Sequence, residues 1–424
     1  MPGVLRTAFC GRTILSIVDE PNFNCFLFYI SRRQISSVFT VQAEIFWLVM
    51  KAIILVDGLG THLRPLTLSC PKTLVEFANK PLLAWQIEAV KTVGCTEVIL
   101  ATNHVSELMN SFLKEWEAKL GVKISYLKER VPLLDIYDGR LIIRHPFFSD
   151  EPGEHPFFVL KSDVICDYPL KEMLELHRTT NSGCTILVTK VHDPVADHRF
   201  ILAGAHGQSH EGITHVPKEL VRAHVSAGNV TEYINAGIYI CNASILNSML
   251  SRLLNPMDGQ ISSCITLTAS MTTFILQGYW IDLGQPSDYL EGLMHHLASL
   301  RSREPQLLAS GHTFQGNVLI DESAAIGKDC LIGPDVSIGA GCVIEDGVRL
   351  RSCAIMKGAR VHKHSKVDNS IVGWRSTVGA WSRVENLSVL GEDVHCKDEL
   401  YLNGATVLPH KEVKDSIYMP EIIL

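Results

Sequence analysis

The sequence contains no long uninterrupted hydrophobic segment. A membrane-spanning helix needs about 18–20 consecutive apolar residues, whereas the longest apolar stretch, Ile45–Val56, is interrupted by Lys51. Charged residues such as Arg6, Arg12 and Asp19 also break up the first part of the chain, which therefore does not match a secretory signal peptide. These absences argue against a membrane-embedded or secreted protein, and we expect a cytoplasmic location.

Paired cysteines and an excess of positive charge are lacking as well. The 12 cysteines are scattered, with no CxxC pair and no Cys/His cluster at zinc-ligand spacing, which argues against a disulfide framework. We expect an exposed thiol at Cys70, beside a glycine loop. The net charge of −7 provides no basic field for nucleic acid or an anionic membrane. What the chain has is 46% hydrophobic residues over 424 positions, enough for two or three domains at about 150 residues each.

Apolar strands alternate with amphipathic helices from Met50 to about residue 285. Met50–Val56 and Glu97–Thr102 are predicted strands, and Val105–Leu120 has helical spacing. This alternation is typical of an α/β domain with a mostly parallel sheet, in which ligands bind at the carboxyl ends of the strands. We assign this domain to residues 50–288, a connecting helix and linker to 289–314, and an N-terminal extension without clear periodicity to 1–49.

A six-residue repeat begins where the helical pattern ends. Its apolar positions are Ile320, Ile326, Ile332, Ile338, Ile344 and Leu350, and a second series runs two positions earlier through Val318, Ala324, Cys330, Val336, Cys342 and Val348. After one residue drops out, the period resumes at Ile355. Such a repeat predicts a parallel β-helix, here over residues 315–424, because each turn stacks its apolar residue on the previous one.

A glycine loop follows the first predicted strand. It runs from Asp57 through Gly58 and Gly60 to His62, and Lys72 lies a short distance downstream. Glycines at a strand end let backbone N–H groups approach phosphates, and a nearby lysine neutralises their charge. The loop matches neither the dinucleotide fingerprint nor a Walker loop. By itself it fits either a phosphate site or a plain tight turn.

The wider sequence resembles the signature of the sugar-1-phosphate nucleotidylyltransferase family. Residues 55–83, LVDGLGTHLRPLTLSCPKTLVEFANKPLL, carry the resemblance, which continues through Phe158–Asp163, Ile234–Gly237 and Gly278–Gly284 and along the repeat to Leu424. It is closest to the members that form GDP-mannose and pyrophosphate from GTP and mannose 1-phosphate. The resemblance implies a Rossmann-like nucleotidyltransferase domain followed by a left-handed parallel β-helix of hexapeptide repeats.

The resemblance also implies roles for individual residues. It makes Lys72, Asp163 and Asp282 catalytic, with the two aspartates as ligands of Mg²⁺. The other implied contacts are Gly58, Gly60, Thr61 and Lys72 for the nucleotide, and Lys218, Asn235 and Gly237 for the sugar phosphate. Taken singly, an aspartate after a strand is more often a solvated turn residue. The family context favours metal binding for both.

Several positions depart from the family pattern. Asp57 and His62 stand where the family has a glycine and an arginine, Val131–Ile136 replaces a glycine-containing loop, and Pro217 replaces a glutamate. Because histidine lacks the planar fork with which arginine holds phosphate, we predict slow or absent turnover. The alternative function is a catalytically poor or inactive paralogue that acts as a regulatory or scaffolding subunit through its β-helix.

Two further alternatives come from other classes. The domain pairing is similar to that of subunits of the guanine-nucleotide exchange factor for translation initiation. A β-helix acyltransferase would need a projecting histidine such as His362, His364 or His395, but histidines at β-helix corners are more often solvated. The ends of a β-helix require capping or pairing. We therefore expect a homo-oligomer or a hetero-oligomer with a related guanylyltransferase subunit, and no nucleic-acid or membrane partner.

Overall fold

The structure, a computed structural model, describes residues 6–10, 13–17, 50–56, 60–102, 106–128, 156–190, 233–242 and 271–424. The chain divides into two compact units, Met1–Met50 and Lys51–Leu424. In the first unit, strands β1 (Arg6–Cys10) and β2 (Thr13–Ile17) pair in antiparallel fashion. The hydrophobic period predicts no regular element there, because strands of five residues are too short to establish one.

The second unit begins with a seven-stranded sheet flanked by helices. Its strands and those of two small sheets are β3 (Met50–Leu55), β4 (Glu76–Phe77), β5 (Lys80–Pro81), β6 (Cys95–Thr102), β7 (Lys123–Lys128), β8 (Pro156–Lys161), β9 (Val164–Cys166), β10 (Cys184–Lys190), β11 (Tyr233–Asn242), β12 (Met271–Ile275) and β13 (Trp280–Asp282). The order in the large sheet is β12-β10-β11-β8-β3-β6-β7. The pairs β3–β8, β6–β7 and β10–β12 are parallel, whereas β11 runs antiparallel to both of its neighbours. The sheet is therefore mixed.

Four α-helices lie in the described part of this unit. They are α1 (Leu82–Thr92), α2 (Glu107–Leu120), α3 (Leu170–Thr180) and α4 (Pro286–Arg303). The Ser106 side chain accepts a hydrogen bond from the Met109 amide and starts α2, and Gly121 ends it with a left-handed backbone. Helix α4 begins three residues before the predicted residue 289, because Gln285 and Asp288 form a reciprocal cap and Pro286 occupies the first helical position.

The repeat forms a parallel β-helix with three faces. The first face contains β14 (Val318–Ile320), β17 (Val336–Ile338), β20 (Cys353–Ile355), β23 (Ile371–Val372), β26 (Val389–Leu390), β29 (Thr406–Val407) and β31 (Ile422–Ile423). The second contains β15 (Ala325–Ile326), β18 (Val343–Ile344), β21 (Arg360–Val361), β24 (Thr377–Val378), β27 (His395–Cys396) and β30 (Glu412–Val413). The third contains β16 (Leu331–Ile332), β19 (Arg349–Arg351), β22 (Lys366–Asp368), β25 (Arg383–Glu385) and β28 (Tyr401–Asn403).

The predicted apolar columns line the interior of this β-helix. Ile338 pairs with Ile355 and Ile355 with Val372 in parallel register, and all three side chains are buried. Cys330 and Cys342 are buried core residues too. The predicted fold class is confirmed in both parts: an α/β domain is followed by a parallel β-helix.

A continuous apolar cluster joins the α/β half of this unit to the β-helix. Its members include Leu63 and Leu66 from the segment after the glycine loop, several α4 residues, and Met356 of the β-helix. Two hydrogen bonds reinforce the contact. The Trp374 indole donates to the Glu76 carboxylate at 3.0 Å, and the Asn79 amide donates to the Ile338 carbonyl at 2.8 Å. The β-helix therefore supports the β4–β5 hairpin that follows Lys72.

The cysteines whose side chains the structure describes are all free. The expectation of an exposed thiol at Cys70 is wrong, because the side chain is half-buried. Burial, followed by the negative charges of Glu392 and Glu76, raises the pKa of this thiol to about 12. The thiol is therefore protonated and a poor nucleophile at neutral pH.

Across the part of the chain that the structure describes, we find no helix with the length and apolar character needed to cross a membrane.

Candidate active site

Strands β3 and β8 end side by side at one edge of the large sheet. They are parallel, with Leu55 opposite Lys161, and the Ser162 amide donates to the Leu55 carbonyl at 3.0 Å. This bond extends the pairing of the two strands by one residue and places Asp163 just beyond the carboxyl end of β8. The edge is where ligands bind in open α/β sheets.

A short antiparallel pair brings Asp282 to the same place. Strand β13 pairs with β9, which sets Asp282 opposite Val164, and the Leu283 amide donates to the Asp163 carbonyl at 2.9 Å. The Trp280 indole fixes β13 to the large sheet by donating to the Ala236 carbonyl at 2.9 Å. Two aspartates from distant parts of the sequence thereby meet at one edge.

Two lysines face these carboxylates. Lys72 Nζ donates to Asp163 Oδ2 at 3.1 Å, and Lys161 Nζ lies 3.8 Å from Asp163 Oδ1 and 3.8 Å from Asp282 Oδ2. Burial alone would raise the pKa of Asp163. The ammonium charges of Lys72 and Lys161 and the hydrogen bond from Lys72 outweigh it, so the pKa lies below its ordinary value and Asp163 is ionised at neutral pH.

The turn after the glycine loop is held close to Lys72. Gly60 has a left-handed φ of 62°, and a Cβ there would lie 2.8 Å from Thr67 Cγ2 and 3.0 Å from Lys72 Cβ. The Thr67 hydroxyl donates to the Gly60 carbonyl at 2.6 Å. Glycine is therefore required both for the backbone conformation and for the close approach. The next two residues, Thr61 and His62, are exposed.

Asn235 and Gly237 occupy an irregular part of β11. The register against β10 shifts here, as in a β-bulge, and Gly237 has a left-handed φ of 79°. The Asn235 side chain stabilises the bulge: its Oδ1 accepts from the Gly237 amide at 2.9 Å, and its Nδ2 donates to the Tyr239 hydroxyl at 2.6 Å. Gly237 packs against the Lys161 side chain, which the sequence analysis did not single out.

Two residues of this site were missed by sequence reasoning. Lys161 lies within the matched segment Phe158–Asp163, and its position two residues before Asp163 was the available signal. No feature of the sequence points to the second residue, the buried Gln86 of α1. Its Nε2 donates to the Lys161 and Val164 carbonyls at 2.6 and 3.1 Å and so holds the turn that carries Asp163.

Of the residues assigned by resemblance, the structure brings Lys72, Asp163 and Asp282 together. Gly60 and Thr61 belong to the adjoining turn, Gly237 packs against Lys161, and Asn235 is hydrogen-bonded to Gly237 in the same bulge. Gly58 and Lys218 lie outside the described residues, as do the departures at Asp57, Val131–Ile136 and Pro217.

The residues present fit a divalent cation. Two carboxylates converge, and Asp163 Oδ1 is buried without accepting a hydrogen bond. In the described ranges no group of three or more Asp, Glu, His or Cys side chains gathers at one point. A cation here would therefore take most of its oxygen ligands from substrate and water. Mg²⁺ coordinates in this way in phosphate-transferring sites, through one or two carboxylates and phosphate oxygens.

Two protein-family models match this chain. The nucleotidyl transferase family matches residues 51–299, and the GMPPB C-terminal domain family matches residues 314–423. A solved structure of UDP-glucose pyrophosphorylase from Acinetobacter baumannii aligns with 61% of this chain and 98% of its own, at 21% identity and a TM-score of 0.45.

Curated relatives match over most of the chain. Mannose-1-phosphate guanylyltransferase 1 from Arabidopsis thaliana is 48% identical over 375 residues, which are 88% of this chain and all of the relative. The catalytic subunit beta of mannose-1-phosphate guanylyltransferase from Danio rerio is 45% identical over the same shares. The charged cluster at the strand ends and these full-length matches together place the chain in the mannose-1-phosphate guanylyltransferase family of sugar-phosphate nucleotidyltransferases.

Proposed function

We propose that this protein transfers GMP from GTP to mannose 1-phosphate and releases pyrophosphate. In this reaction a phosphate oxygen of the sugar phosphate attacks the α-phosphorus of GTP, and the bond from that phosphorus to the pyrophosphate oxygen breaks. The observation that carries the proposal is the convergence of Lys72, Asp163 and Asp282 at the carboxyl ends of the strands. The names of the relatives support guanine and mannose as the base and sugar.

The residues of the site contribute position and charge rather than covalent chemistry. Lys72 supplies an ammonium group beside the turn at Gly60, where it can neutralise nucleotide phosphates. Asp163 and Asp282 would hold Mg²⁺, which lowers the charge on the phosphates when bound. Asn235 and Gly237 build the bulge that we propose borders the sugar phosphate, with Lys218 as a further sugar-phosphate contact. We propose Gly58, Gly60 and Thr61 as contacts of the nucleotide, together with Lys72.

The proposal is tested by measuring pyrophosphate release from purified protein with Mg²⁺. Each of GTP, ATP and UTP is combined with mannose 1-phosphate and with glucose 1-phosphate. We expect the largest kcat/KM for GTP with mannose 1-phosphate. Faster release with another pair would overturn the assigned substrates, and no release from any pair would overturn the transferase activity. The alternative of an inactive scaffolding paralogue rests on the departures at Asp57, His62, Val131–Ile136 and Pro217, of which only His62 is described, and nothing in the comparisons supports it.

We also propose that the protein acts in the cytoplasm as an oligomer. The proposal of an oligomer is supported by large hydrophobic side chains that are exposed in the last described coil, namely Tyr418, Met419, Ile422 and Leu424. Apolar groups clustered at one end of a β-helix favour burial against another subunit. Size-exclusion chromatography with light scattering checks the assembly, and a strict monomer would contradict it.

A further inference from the structure

Lys161 lies between the two aspartates of the site. It is the last residue of β8, and its Nζ is 3.8 Å from one carboxylate oxygen of Asp163 and 3.8 Å from one of Asp282. The Asp163 oxygen on this side, Oδ1, accepts no hydrogen bond, since Lys72 donates to the other oxygen. The ammonium group thus faces the Asp163 oxygen that accepts no hydrogen bond and one oxygen of Asp282.

The surrounding structure directs Lys161 to this position. Gly237 leaves room for its methylene groups: a Cβ at Gly237 would lie 2.8 Å from Lys161 Cδ and 3.1 Å from Cγ. On the other side, Gln86 holds the Lys161 carbonyl at 2.6 Å. The lysine side chain is about one third exposed, so it can withdraw toward solvent without unfolding the turn.

Among the described residues, the charges of the four side chains that these ion pairs join balance. Asp163 and Asp282 contribute two negative charges, and Lys72 and Lys161 contribute two positive ones. A divalent cation that approaches the carboxylates meets the repulsion of the Lys161 ammonium at close range. In a partly buried site this repulsion is much stronger than in bulk water.

We propose that Lys161 is a resident counter-ion of the Asp163–Asp282 pair, and that a divalent cation binds there only by displacing its ammonium group. The inference rests on the metal role proposed above for the two aspartates. It gives Lys161 a positioning role: it keeps two like charges together when no metal is bound, and it weakens the affinity of the site for metal.

The test is a titration of the full-length protein with Mn²⁺ alone, with free Mn²⁺ followed by electron paramagnetic resonance. Neutral variants Lys161→Met and Lys161→Gln remove the competing charge and are expected to bind Mn²⁺ about 10-fold more tightly than the parent. Lys161→Arg keeps the charge and is expected to bind no more tightly than the parent. The matched control is Lys123→Met, because Lys123 also pairs with a carboxylate, Glu97, but lies at the start of β7.

A second readout is thermal unfolding with and without Mn²⁺. Without metal, the neutral variants leave the two carboxylates facing each other, so their Tm falls below that of the parent, and Mn²⁺ raises it by more than it raises the parent. Unchanged Mn²⁺ affinity in both neutral variants would overturn the proposal, while loss of binding in Asp163→Asn would keep the metal assignment intact. Absence of Mn²⁺ binding in every protein would overturn the metal assignment and the proposal together.

Discussion

At the scale of single residues, Gly237 and Lys161 depend on each other. The glycine adopts a left-handed backbone, and the space that a side chain would fill is occupied by the lysine. The segment Ile234–Gly237 is part of the family resemblance, and the structure adds a physical reason for its glycine. A side chain there would displace a lysine that touches both aspartates of the site.

Gly237→Ala is therefore expected to impair the site as well as stability. The positive φ alone costs about 1–2 kcal/mol of unfolding free energy. Crowding of the Lys161 methylene groups should also disturb the positions of the two carboxylates that Lys161 faces, and so lower kcat/KM by about 10-fold or more. The matched control is Gly94→Ala, since Gly94 also has a positive φ but no atom within 4 Å of a new Cβ. Equal kcat/KM in the two variants, measured by pyrophosphate release, would contradict the prediction.

His62 is the described residue at which the glycine loop departs from the family pattern. Its side chain is exposed on the turn after Gly60, so an arginine fits there without repacking. Because arginine offers a charged planar fork for phosphate, we expect His62→Arg to raise kcat/KM by about 10–100-fold. His410→Arg, on an exposed histidine of the last described coils, is the control. An unchanged rate in His62→Arg would show that the histidine does not limit turnover.

At the scale of elements, helix α4 carries a buried histidine. His296 Nδ1 lies 2.6 Å from the Tyr279 hydroxyl, Nε2 has no hydrogen-bond partner, and the Trp85 ring centroid is 4.7 Å away. Burial, followed by the positive charges of Arg303 and Lys80, lowers its pKa to about 3. Packing of α4 therefore requires the neutral imidazole.

This burial predicts a loss of stability in mild acid. In the unfolded chain the imidazole binds a proton below about pH 6.5, whereas the folded state does not until about pH 3. The unfolded state is thus favoured as pH falls through this window. Between pH 7 and 5.5 the parent should lose about 1 kcal/mol more unfolding free energy than His296→Gln, measured by urea unfolding. His295→Gln, at a half-exposed neighbour on α4, should behave like the parent.

The periodic elements could be predicted from the sequence, whereas the contact between the two aspartates of the site could not be predicted from any pattern. The six-residue period identifies columns such as Ile338, Ile355 and Val372 because every coil repeats the same contact. The meeting of Asp163 with Asp282 depends on the β9–β13 pair, whose strands have only three residues each and show no period. Family resemblance supplied those two residues.

At the scale of the whole second unit, the β-helix also supports the active-site segment. Trp374 packs against the apolar cluster that contains Leu63 and Leu66, and its indole donates to Glu76. The segment between β3 and β4 carries Lys72 at the start of a short turn. The position of Lys72 therefore depends on contacts with a domain that contributes none of the proposed site residues.

Trp374→Ala tests this dependence. We expect it to lower the unfolding free energy by about 1–3 kcal/mol and to lower kcat, because the Lys72 turn loses part of its support. Trp381→Ala removes a tryptophan of the same β-helix whose side chain is exposed, and both quantities should stay near the parent values. Unfolding in denaturant and pyrophosphate release measure the two effects. Equal kcat in both variants would contradict the claim that the β-helix supports the Lys72 turn during catalysis.

The most direct test of the account is the activity of Asp282→Asn. The variant keeps the size of the side chain and removes the charge that faces Lys161, so we predict a loss of about 10²-fold or more in kcat/KM for pyrophosphate release from GTP and mannose 1-phosphate. Asp288→Asn, at the cap of α4 a short distance along the chain, is the control and should retain parent activity. Parent-like turnover in Asp282→Asn would contradict the assignment of the reaction to this site.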